Sequence, residues 1–270
     1  MAMILHWVYE IPLWLDMVLF LLVLLVSMEA GFRMGLRKHR GNPDAERAAR
    51  GDATLTSILG LLGLMLAFTY AFCMSRADMR KKALVTEVNA ISTAFLRADL
   101  APEPGRTELR ERLLDYARSR LVTPEMVSNR EQLREVVARS LEAQAKLWPA
   151  TKSAVQQEGN MPTPLKASLV QAVNDVLDAH SSRMAVIYDR LPGAVLVLLL
   201  LIAAAAIALA AYSAGLRGNA CRWRMSAFAV ILAALMFLIL DFDIILRGFI
   251  RVNHESLASL VREMEAAVRR

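Results

Sequence analysis

The sequence predicts an all-α membrane protein, with four transmembrane helices and a helical domain inserted between the second and the third. Three observations carry that reading. Apolar residues make up 56% of the 270 positions and 21% are charged, too apolar for a soluble domain and too charged for a wholly embedded one. Four windows reach the roughly 20 apolar residues that a bilayer-spanning helix needs, and they pair two near each end of the chain. The stretch between the second and third windows keeps a helical period and has none of the sustained two-residue alternation a strand requires.

The first window, Ile11 to Met28, is an anchor and not a signal peptide, because no basic residue precedes it and charge follows it directly. Asp16 interrupts it. A carboxylate costs about 3 kcal/mol at a helix centre, but here it lies near one end beside Trp14, so an interfacial position is expected.

The second window, Thr54 to Met74, runs on into "SRADMRKK" with neither glycine nor proline between, so one continuous helix is expected to leave the bilayer. On its wheel Leu61, Leu64, Met65, Phe68 and Phe72 fall within about 100° of arc, while Gly60, Gly63 and Ala67 fall on a separate side. Small faces let helix backbones approach closely in lipid, so Gly60, Gly63 and Ala67 form the expected helix-packing surface. Taken alone, the bulky face reads as lipid-facing.

Helical periodicity then continues, with breaks expected at Pro102, Pro104 and Gly105, at Pro124, at Pro149 and across "EGNMPTP". Leu133, Val137 and Leu141 share one face. Leu165, Leu169, Val173, Val176, His180, Met184 and Ile187 form another stripe. Such stripes must be buried against one another, which predicts a helical bundle. The third and fourth windows are Gly193 to Ser213 and Met225 to Asp241. The domains are therefore 1–75, a first transmembrane pair; 76–192, a helical extramembrane domain; 193–243, a second pair; and 244–270, an amphipathic helical tail.

The net charge of +6 is concentrated beside the membrane, as in "GFRMGLRKHR". In the inserted domain the charges are dispersed, which excludes a nucleic-acid footprint. Basic residues flanking the spans are nearly equal in number on the two sides, so charge alone assigns no orientation. Cys73 and Cys221 lie at opposite ends of the spans, separated by about 30 Å of hydrocarbon, and cannot pair. The histidines His6, His39, His180 and His254 lack ligand spacing, so no metal is expected, and His180 reads as a structural histidine. No phosphate loop, nucleophile elbow or HExxH is present. Neither an enzyme nor a cofactor is expected.

The stretch "LGLMLAFTYAFCMSRADMRKKALVTEVNAISTAFLRADL", Leu62 to Leu100, resembles the signature of the bacterial bestrophin-like domain family: an L-G-L-x-L-A-F-T run, a basic pair, E-x-N-A-I and T-A-x-L-R. "YDRLP", Tyr188 to Pro192, and "RGFIRV", Arg247 to Val252, agree with it. The resemblance implies a fold similar to bestrophins, which are distantly related ion channels. It also implies a homo-oligomer, expected as a pentamer, in the bacterial inner membrane, with the second span lining a pore for small inorganic ions.

Leu61, Leu64, Met65, Phe68 and Phe72 would form the hydrophobic neck, and both termini and residues 76–192 would be cytoplasmic. Arg80, Glu87, Asn89, Arg97, Arg190, Pro192, Asp241, Asp243, Arg247 and Arg251 stand at motif positions and are expected to be structural. Glu87 and Asn89, set among Leu84, Val85, Val88 and Ile91, need partners if buried, and Arg97 or a neighbouring chain is the expected one. Asp241 and Asp243, with Arg247 nearby, supply too few oxygens for calcium, and the three are expected to form an interfacial salt bridge. Two departures stand out: Thr69 follows Phe68 where bacterial bestrophins carry Arg and Asn, and Asp243-Ile244-Ile245 replaces an Asp-Arg-Pro. The alternative from another class is a non-conducting membrane scaffold or signalling module whose helical domain docks a partner.

Overall fold

The computed structural model describes residues 13–41, 53–121, 130–156, 161–189, 191–217, 222–243 and 254–269. Pro124, Arg190, Cys221, Arg247 and Arg251 lie outside them. The described elements are all helices: α1 (Leu13–Gly41), α2 (Ala53–Ala98), α3 (Gly105–Ser119), α4 (Arg130–Gln156), α5 (Thr163–Tyr188), α6 (Gly193–Leu216), α7 (Arg222–Asp243) and α8 (Glu255–Val268). Helices α1, α2, α6 and α7 are long and apolar enough to cross a bilayer. The chain forms two compact units, Met1–Arg76 with Arg190–Ile250 and Ala77–Asp189 with Arg251–Arg270.

In the first unit α1 continues well past its apolar window to Gly41. The Glu29 carboxylate accepts from Arg33 Nε at 2.7 Å one turn on, an i,i+4 pair that favours helix as the chain becomes polar. Its inward stripe is Asp16, Phe20, Leu24, Met28 and Phe32, each one turn from the last. Asp16 is therefore buried within the chain, while Trp14 and Leu15 beside it are exposed.

Two glycines on the same side of α1, Gly31 and Gly35, lie against the backbone of α6 at Ala208 and Tyr212, with Gly215 of α6 opposite. Four-residue spacing of glycines permits this approach in lipid. The expected packing residues Gly60, Gly63 and Ala67 are exposed within the single chain, with open space around both glycines among the described residues. A methyl on Gly215 would sit 2.5 Å from the Phe32 carbonyl oxygen and 2.8 Å from the Leu36 nitrogen. Both atoms are backbone, so the helices must part. Gly215→Ala should cost about 1–3 kcal/mol, a typical overpacking penalty, seen as a lower melting temperature in detergent. Gly41→Ala, where an added methyl meets no described atom within 4 Å, is the control and should not lower it.

The second unit buries one apolar cluster. Leu84, Ile91, Ala94, Phe95 and Ala98 come from α2, Leu109, Leu113 and Tyr116 from α3, Leu147, Ala150 and Ala154 from α4, and Leu169, Val173 and Val176 from α5. Helix α8 adds Leu257, Leu260, Val261 and Met264, and Arg118 Nη2 of α3 holds its Glu265 at 2.8 Å.

Three details differ from expectation. Helix α4 passes through Pro149 unbroken. A proline costs roughly 3 kcal/mol in a helix interior, and burial of Leu147, Ala150 and Ala154 around it offsets that loss. The inward face of α4 is Val136, Ser140 and Leu147, while Leu141 is exposed, a shift of about one residue from the face the periodicity suggested. In α5 the expected stripe holds from Leu169 to His180, but Leu165 at its start is exposed. The breaks at Pro102–Gly105 and before Thr163 fall between elements, with Pro162 flanking the start of α5.

Candidate functional site

Within the first unit, the apolar half of α2 presents three faces. Leu62, Leu66, Thr69, Cys73 and Arg76 are buried, recurring every three or four residues. The Thr69 hydroxyl donates to the Met65 carbonyl at 2.8 Å, so its polar group is satisfied within the helix. The small face of Gly60, Gly63 and Ala67 is exposed. The bulky face is also bare: Phe68 is 66% exposed and Leu64 53%, with Leu61 and Phe72 close to half. Met65, at its edge, is half-buried.

One turn beyond Phe72 the character changes. The Arg76 guanidinium lies 4.5 Å from the Phe72 ring centroid and 3.8 Å from Asp243 Oδ1. Asp243 closes α7 and is itself buried. Its two oxygens accept from the Leu191 amide at 3.0 and 3.2 Å, just ahead of Pro192 and the first turn of α6. This carboxylate satisfies a buried amide two residues ahead of α6 and so ties the approach to α6 to the end of α7. Nearby, Tyr70 and Phe242 meet edge to face at 5.7 Å. Of the expected salt-bridge residues, Asp241 and Asp243 are both buried within the chain and Asp243 pairs with Arg76, while Arg247 lies outside the described residues.

The second unit contains a polar hub. Glu87 is 0% exposed. Its Oε1 accepts from the Tyr116 hydroxyl at 2.5 Å and from Arg120 Nε at 2.8 Å, and its Oε2 accepts from Arg183 Nη1. The Tyr116 oxygen also lies 3.0 Å from His180 Nδ1. Because the hydroxyl proton goes to Glu87, the tyrosine oxygen must accept from His180. That assigns the imidazole proton to Nδ1. Burial, reinforced by the Glu87 carboxylate, raises the Tyr116 pKa, so the phenol stays a donor.

Of the residues expected to be structural, Arg80 is buried and Asn89 is exposed within the single chain. Arg97 is not the partner of Glu87; its Nη1 donates to the Ser168 carbonyl at 2.9 Å, tying α2 to α5. Sequence reasoning missed Arg76, Tyr116, Arg120 and Arg183. The available signal was His180, a lone polar residue on an apolar stripe with Arg183 one turn later.

The hub has a pH dependence. Burial, then the Arg120 charge, pushes His180 down to about 4, and His254 is lowered for the same first reason. A folded pKa below the unfolded value of about 6.5 means the unfolded state takes up a proton first on acidification. Stability is then full above pH ~6.5 and falls progressively toward pH ~4. The melting temperature of the full chain should fall across that window. His180→Gln, which cannot titrate, should flatten the decline, and an unchanged slope would contradict the assignment.

The profile of the Bestrophin-like domain family matches residues 16–257. No curated protein sequence matches the chain. Solved structures share the fold. A membrane protein with a single proline-to-alanine substitution aligns at TM-score 0.63 and 11% identity, covering 96% of this chain and 99% of that one. A bacterial bestrophin homolog from Klebsiella pneumoniae aligns at 0.62 and 10% in a tyrosine-to-alanine variant, covering 92% and 99%. Its tryptophan-to-alanine variant aligns at 0.63 and 11%, covering 92% and 97%.

Proposed function

The chain belongs to the bestrophin-like family, and on that premise we propose that it is a homo-oligomeric, pentameric ion channel-like protein of the bacterial inner membrane. Its hydrophobic neck is formed by Leu61, Leu64, Met65, Phe68 and Phe72. The observation that carries this reading is the bare bulky face of α2, left uncovered while a separate stripe of the same helix is buried. A ring of copies would turn those side chains toward a common axis and leave Gly60, Gly63 and Ala67 for close contact with a neighbouring copy.

A constriction of apolar side chains narrower than a hydrated ion closes by dewetting and opens when the ring widens. In this reading the protein moves small inorganic ions and catalyses no reaction, and the termini and residues 76–192 lie in the cytoplasm. Purified protein in planar bilayers should conduct, with reversal potentials under a salt gradient reporting the ion preferred. Native mass spectrometry should show five chains. A detergent-stable monomer that stays monomeric in nanodiscs would sink the reading. An assembled ring without conductance would favour a membrane scaffold sealed by its bulky residues.

A further inference from the structure

We infer that Arg76 is a positioning residue for the neck: it sets the orientation of the Phe72 ring and is itself held by Asp243. The inference rests on the channel reading for its functional meaning, but the contacts stand without it. Side chains on a helix lean toward its N-terminus, so Arg76 lies back over the residue one turn earlier, and its guanidinium is 4.5 Å from the Phe72 centroid. A cation over an aromatic face is attracted by the ring quadrupole, and more strongly once desolvated. Arg76 is 7% exposed.

A long arginine side chain would lose such an orientation to rotamer freedom unless its head were fixed. The Asp243 carboxylate, 3.8 Å from Arg76 Nη1, attracts that head as an ion-pair partner beyond hydrogen-bond distance and is pinned in turn by the Leu191 amide. The chain of contacts runs from the start of α6, through the end of α7, to an exposed ring on α2. Any motion that separates α7 from α2 would release Phe72, so the pair links the membrane helices to the width of the neck.

Fluorine NMR of 4-fluorophenylalanine placed at position 72, together with ion leak from liposomes, tests this in the full chain. Arg76→Leu and Asp243→Asn should both move and broaden the resonance, and Arg76→Lys, which keeps a cation over the ring, should restore part of the wild-type signal. Leak should rise severalfold in Arg76→Leu, and the double variant with Phe72→Ala should leak no more than Phe72→Ala alone. A merely structural arginine would lower assembly, leave the resonance of assembled protein in place, and add its effect to that of Phe72→Ala. An unmoved resonance in all three single variants overturns the inference. A moved resonance with flat leak in both Phe72→Ala and Phe68→Ala upholds the positioning role and overturns the channel reading instead. If Arg76→Leu fails to assemble, Asp243→Asn and Arg76→Lys carry the same decision.

Discussion

Replacing Glu87 by leucine should destabilise the second unit by about 3–5 kcal/mol, the usual cost of removing one partner from a buried ion pair. The cause lies in what stays behind. Arg120 and Arg183 are both buried, and both direct guanidinium groups at the lost carboxylate. Without it, two like charges face each other in a low-dielectric interior, and the Tyr116 hydroxyl loses its acceptor. Glu87→Gln keeps the shape and one acceptor oxygen and should lose less. Tyr116→Phe removes one hydrogen bond and should cost about 1 kcal/mol.

Size-exclusion chromatography with thermal unfolding reads both effects, and assembly should fall before any change in ion preference is detectable in whatever assembles. Assembly and melting temperature at wild-type values, with reversed selectivity, would place Glu87 on the permeation path and dismiss the hub as a stabilising element.

Phe68→Ala should raise ion leak severalfold in reconstituted protein. The expectation follows from the proposed ring: Phe68 is the most exposed of its large apolar residues, at 66%, and lies between Leu64 and Phe72, one turn to either side. Truncating one benzyl group per subunit opens space that water can enter, and a wetted constriction no longer excludes hydrated ions. Leu66→Ala is the informative contrast, because Leu66 lies on the buried stripe. It should lower stability by about 2–5 kcal/mol without the same gain in leak among folded assemblies. Unchanged leak in Phe68→Ala, with a cysteine at position 68 labelled by a lipid-soluble but not a water-soluble reagent, would put the bulky face in the bilayer.

Several features were legible in the chain by itself. The four apolar helices and the helical character of the inserted domain follow from local quantities, a run of hydropathy and a repeat near 3.6 residues, which report burial whatever the burying partner is. The family signature from Leu62 to Leu100 was readable for the same reason: it is contiguous. So was the continuity of α2, since nothing between Met74 and Lys82 breaks a helix.

What the tertiary structure decided was who meets whom. The sequence places Glu87 among apolar neighbours and so demands a partner, but its partners lie 29, 33 and 96 residues away, and the candidate in the same helix, Arg97, turned out to serve Ser168. Small faces occur at Gly60, Gly63 and Ala67 and again at Gly31 and Gly35, and spacing cannot rank them. Within the chain the approach of α6 does, and it meets Gly31 and Gly35. Asp16 and Asp243 carry the same difficulty in a sharper form. Periodicity says which side of a helix faces inward, but the fate of a charge there depends on atoms from distant segments, and those come together only when the helices pack.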